Sequence, residues 1–151
     1  MLSDENIRVL ITAALLAHAL AHAVALGALI RQSRKYAPPP RVPMRYWLYP
    51  SLAPRRTAII ALPFWTVATV GFVLAALSFW GSPIPAPAWR TLAVVSSGVS
   101  LCGIALFSGI WPGSPSRPRS TFNALIALAM NAAVLVSLAV LHWPAHSMFN
   151  R

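Results

Sequence analysis

The chain has 151 residues, 58% apolar and 9% charged, against roughly 45–50% and about 25% in a soluble domain. So few charges cannot cover a globule in water, which excludes a soluble fold and points to an integral membrane protein. Twelve bases stand against two acids, a formal net charge of +10. Both acids, Asp4 and Glu5, precede the first apolar block. No carboxylate is left at membrane depth for metal binding, proton relay or acid/base chemistry, so the chain is not expected to be an enzyme. Cys102 is the only cysteine, which excludes an intramolecular disulfide, a CxxC redox pair and a cysteine zinc site.

Four apolar runs follow one another, and lipid leaves backbone groups no partner but their own helix. The expected architecture is therefore an all-α integral-membrane four-helix bundle forming a single domain over the whole chain. The first helix is expected over residues 7–30, too long an apolar run for a signal-peptide core and hence an uncleaved span. Arg31 closes it. A basic, proline-rich loop over 31–57 comes next, in which PPPRVPMRYWLYPSLAPRR alternates prolines, bases and aromatics. That pattern disfavours both helix and sheet. The second helix is expected over 58–80, with Pro63 near its start or kinking its first turns. A GSPIPAP turn leads to the third, over 89–111, and PGSPSRPRS to the fourth, over 122–143, which Pro144 ends.

Counting bases orients the bundle. Arg31, Arg34, Lys35, Arg41, Arg45, Arg55, Arg56, Arg117 and Arg119 fall on one side, and Arg8, Arg90 and Arg151 on the other. The positive-inside rule then puts both basic loops in the cytoplasm and both termini on the outer side of a bacterial inner membrane. The positive charge seeks anionic headgroups or a partner's acidic surface rather than nucleic acid. In the first loop Arg41, Arg45, Tyr46, Trp47, Arg55 and Arg56 are the candidate lipid or partner contacts. Phe64, Trp65, Phe79, Trp80, Trp89, Trp111, Phe122 and Trp143 flank the spans, where rings ordinarily anchor at the membrane interface.

Aligning the span centres brings polar side chains to one depth: His18 and His22 on the first helix, Thr66 and Thr69 on the second, Ser97, Ser100 and Cys102 on the third, and Asn131 on the fourth. Thr69, Ser100 and Asn131 form the candidate polar belt. Such groups face the bundle interior and bond across helices. His18 and His22, four residues apart, lie one turn apart on one face of AALLAHALAHAVALG. Their plainest role is packing. As a cofactor site, either could supply the single axial ligand of a bacteriochlorophyll magnesium. A bis-histidine haem needs imidazoles from two helices at one depth, and His142 and His146 lie at or beyond the outer end of the fourth helix. A metal held by His18 and His22 alone lacks a third ligand and a carboxylate. The first helix also carries two small-residue stripes, Ala13, Ala17, Ala21 and Ala25 on one side and Ala19, Ala23 and Gly27 on another. One stripe suffices for a neighbour within the bundle, leaving the second for another subunit.

The histidine-bearing LAHALAHAVALG, the aromatic turn closing VGFVLAALSFWG, the WR opening PAWRTLAVVSSGVSL, the Trp111–Pro112 pair and the final LHWP together resemble a group of bacterial four-span proteins that are DoxX-like in size and span count. The SLAPRR loop departs from that group, which tends to have a glycine-rich turn with an acid there. The resemblance implies the fold and no activity. The leading expectation is a non-catalytic small subunit packed against a larger membrane complex, respiratory or photosynthetic. The alternatives are a tetrapyrrole protein, with bacteriochlorophyll or haem on His18 or His22, and a small transporter.

Overall fold

The computed structural model describes residues 3–81, 84–108 and 110–144. All regular structure among them is helical: α1 (Asp4–Ser33), α2 (Pro54–Ser78), α3 (Ala88–Leu106) and α4 (Arg117–Leu135), the last continued by a π-helical turn over Val136–Val140. Each of the four, α4 counted with its π turn, is long and apolar enough to cross a membrane.

Local chemistry sets the helix ends. Ser3 caps α1 by accepting from the Asn6 amide, and Asp4 and Glu5 stand in the first turn, where the helix dipole favours negative charge. α2 starts on Pro54, whose missing N–H would have no helical partner there. This start lies four residues before the one expected, so Pro63 sits inside the helix. α4 begins at Arg117, five residues earlier than its apolar run suggests, with Pro118 in the first turn.

The larger departure is at α3. It ends at Leu106 rather than Trp111, because Phe107 leaves helical geometry and Ser108 takes a left-handed φ of 60°. Phe107, Ile110 and Trp111 then turn back into the bundle, where all three are buried. The first loop receives the freed carbonyl: the Trp47 amide donates to Leu106 O at 3.1 Å. Ser108 Oγ in turn donates to Arg45 O at 2.9 Å. On α4, Ser120 fixes the returning segment, its Oγ accepting from the Trp111 amide at 2.8 Å and donating to Trp111 O. Gly113 completes the turn at φ 78°, and a Cβ there would stand 2.6 Å from that of Ala28.

Contacts across the bundle show that successive helices run antiparallel. Trp80 Nε1 at the end of α2 donates to Thr12 Oγ1 near the start of α1 at 2.8 Å. At the opposite end Arg55 Nε donates to Ser33 O at 2.9 Å, a cation on the carbonyl end of α1, where the dipole favours it. A Cβ on Gly103 of α3 would come within 3.1 Å of Phe64 Cβ and 3.2 Å of Trp65 Cζ3 on α2. Glycine there is what lets the two helices approach.

The core divides in two along the bundle axis. At the basic end Trp65, Phe107, Ile110 and Trp111 pack with Leu29, Met44 and Ile104. At the other end Phe72, Phe79 and Trp89 pack with Leu15, Leu138 and a seam of alanines that includes Ala19, Ala68, Ala75 and Ala93. The rings expected as interfacial anchors therefore split. Trp80, Phe122 and Trp143 are exposed, whereas Trp65, Phe79, Trp89 and Trp111 are buried within the protein. The reason is geometric. Trp111 lies off the helix on a segment that turns inward, and Trp65 faces that segment across Gly103.

Candidate functional site

Between the two halves of the core lies a closed ring of polar side chains. His18 and His22 project from one face of α1, the first 6% and the second 1% exposed, with their rings 4.8 Å apart edge to face. Asn131 on α4, fully buried, meets the first and Ser100 on α3 the second. His18 Nε2 stands 3.2 Å from Asn131 Oδ1. Asn131 Nδ2 donates to Ser100 Oγ at 2.8 Å, and Ser100 Oγ lies 3.1 Å from His22 Nε2. Three helices are thus tied at one level. α2 contributes the wall: Phe72 lies 4.7 Å from the His18 ring, edge to face, and 5.9 Å from the His22 ring, stacked. Trp111 closes the far side, 5.1 Å from His22.

The donors can be assigned from chemistry. Asn131 Oδ1 is only an acceptor, so His18 carries a proton on Nε2 and gives it. Ser100, which accepts from Asn131, has its own hydroxyl proton free for His22 Nε2. Whichever nitrogen of His22 carries the ring proton, Nδ1 is left buried without a hydrogen-bond partner. Hydrogen bonds between membrane helices contribute about 0.6 kcal/mol on average and up to about 2. A buried polar group without a partner costs about 1–3 kcal/mol. The ring is therefore worth more for the orphans it prevents than for the bonds it makes.

The remaining residues of the expected belt stand apart. Thr69 Oγ1 donates to Trp65 O of its own helix at 2.6 Å. Thr66 and Cys102 are exposed, and Ser97 is buried with its Oγ unpartnered. His142 lies on the surface, its carbonyl accepting from Arg90 at 3.1 Å, while Pro144 O accepts from the same guanidinium. His146 falls outside the described residues. Arg41, Arg45 and Trp47 in the first loop are exposed, as are Arg55 and Arg56, which belong to the first turn of α2 and not to the loop; Tyr46 is half-buried and stacks on Phe107 with ring centroids 5.4 Å apart. Missing from the sequence reading were the ring contacts of Phe72 and Trp111 with the histidines. The turn residues of WPGSP were the available signal for Trp111.

The donor set does not fit a tetrapyrrole in this arrangement. An axial imidazole needs a free ring-nitrogen lone pair and a flat space before it, but Nε2 of His18 faces Asn131, that of His22 faces Ser100, and the unpartnered Nδ1 of His22 is buried within the bundle. Phe72 and Trp111 take the faces of His22. His18 borders one opening, an apolar cleft of about 160 Å³ between α1 and α4 lined by Ile11, Ala14, Met130 and Val134. Among the described residues no three His, Cys, Asp or Glu side chains group as metal ligands. No family model, curated protein or solved structure matches the chain, so the DoxX-like likeness rests on span count and the short motifs quoted above.

Proposed function

We propose that the protein is a non-catalytic membrane subunit, inserted through α1–α4 with its basic loops in the bacterial cytoplasm, that packs through α1 against a helix of a larger membrane complex. The observation that carries this reading is the division of α1 into two small-residue faces. Ala13, Ala17 and Ala21 are exposed, one turn apart, whereas Ala25, which continues their stripe, and Ala19 on the other stripe are buried within the bundle. Alanine gives little dispersion contact to acyl chains, and its small size lets a second backbone come close. An outward ladder of this kind suits a neighbouring transmembrane helix with small residues of its own. The closed polar ring supports the same reading, since it consumes His18, His22, Ser100 and Asn131 in holding the bundle together and leaves them no reactive role. The exposed arginines of the first loop add a basic surface beside the same helix end.

Ala17→Leu/Ala21→Leu in the full chain tests this by mild-detergent co-purification from native membranes. The variant is expected to fold as the parent does, with unchanged thermal stability, and to lose its co-purifying integral-membrane partners. Retention of the same partners would overturn the assembly role. The absorption spectrum of the same preparation tests the tetrapyrrole alternative: this reading expects no Soret or Qy band, and a band lost in His18→Ala would contradict it.

A further inference from the structure

A second, larger cleft opens at the basic end, about 410 Å³ in volume, where the first loop and the end of α3 meet the start of α4. Its rim carries Arg45 from the loop and Arg117 from α4, and its wall runs down along Leu125 and Leu128, both exposed. Cleft hydroxyls bond the backbone carbonyls of both arginines and leave the guanidinium groups available. Ser108 Oγ donates to the carbonyl of Arg45 at 2.9 Å, and Thr121 Oγ1 to that of Arg117 at 3.1 Å. No acidic side chain of the sequence lies near them. The only two, Asp4 and Glu5, open α1 at the opposite end, and a 30-residue helix separates them from this end by about 45 Å. The counter-charge must come from another molecule.

We propose that this cleft is a binding site for an anionic phospholipid, with the phosphate between Arg45 and Arg117 and one acyl chain along Leu125 and Leu128. Guanidinium groups pair with phosphate oxygens through two parallel N–H donors each, a geometry lysine cannot reproduce. The apolar wall begins directly below the cationic rim, as the acyl chain of a lipid begins below its head. A free phosphate would use only the rim, and an acidic peptide would leave the wall uncovered. The site rests on membrane insertion of the helices and not on any partner subunit.

Native mass spectrometry of the detergent-solubilised full chain, with dioleoyl phosphatidylglycerol and dioleoyl phosphatidylcholine in equal amounts, tests it. One phosphatidylglycerol should be retained in preference, and Arg45→Gln/Arg117→Gln should weaken its binding by about tenfold or more, since each base near a membrane surface adds about a fivefold factor. Arg34→Gln/Lys35→Gln, which removes the same charge from exposed residues outside the cleft lining, should leave it unchanged. Glycerophosphoglycerol, the same headgroup without chains, should not be retained. Equal retention of the two lipids, equal loss in both double variants, or retention of the chainless headgroup would each overturn the site. Carbonate-resistant association of the chain with liposomes reads insertion separately, so failure of lipid selectivity is distinguishable from failure to insert.

Discussion

The two halves of the bundle on either side of the polar ring bury their cores by different means. At the basic end the fillers include residues that are not helical at all: Met44 comes from the first loop, and Phe107, Ile110 and Trp111 from the segment after α3. They close that end around Trp65. At the other end the core is drawn from the helices and the π turn, much of it alanine, and α1 and α4 part to leave the narrow cleft beside His18. Helices alone pack closely only where small residues face each other. A polar ring at mid-depth then holds the open half in register.

Substitutions should separate the halves. Trp111→Ala removes the ring that touches both His22 and Trp65 and should have the largest effect, about 3 kcal/mol of lost stability. That is the low end for a buried tryptophan, because lipid replaces water as the unfolded reference. Asn131→Leu should follow at about 2 kcal/mol, as it leaves the His18 N–H unpaired while Ser100 keeps His22. Leu138→Ala, beside the existing cleft, should cost the least, about 1 kcal/mol, since its surroundings are already loosely filled. Steric-trapping or denaturant unfolding in bicelles would rank them. A Leu138→Ala effect equal to that of Trp111→Ala would erase the distinction between the halves.

The number of helices and the level of the polar groups were legible because both follow from hydropathy and from 1.5 Å of rise per residue. His18, Ser100 and Asn131 align by that arithmetic, and the structure has them hydrogen-bonded around Asn131. Thr69 aligns equally well but bonds the carbonyl one turn back on its own helix, an option open to any helical threonine that depth cannot exclude. The end of α3 was not legible. Phe107, Ile110 and Trp111 are as apolar as a span, and only the left-handed Ser108 and the anchors supplied by Trp47 and Ser120 turn them inward. Trp47 comes from a loop remote in sequence, and Ser120 reaches back nine residues from α4. The same inward turn hid the burial of Trp65 and Trp111, whose position near the span ends otherwise marks interfacial rings.

The assembly reading turns on what lies against the outer face of α1. Photo-cross-linking in native membranes, from a diazirine side chain placed at position 17, reads that neighbour directly, with position 19 as the inward control. The account predicts an adduct with a second polypeptide from position 17 and adducts confined to the chain itself from position 19. Lipid adducts alone from position 17 would contradict it.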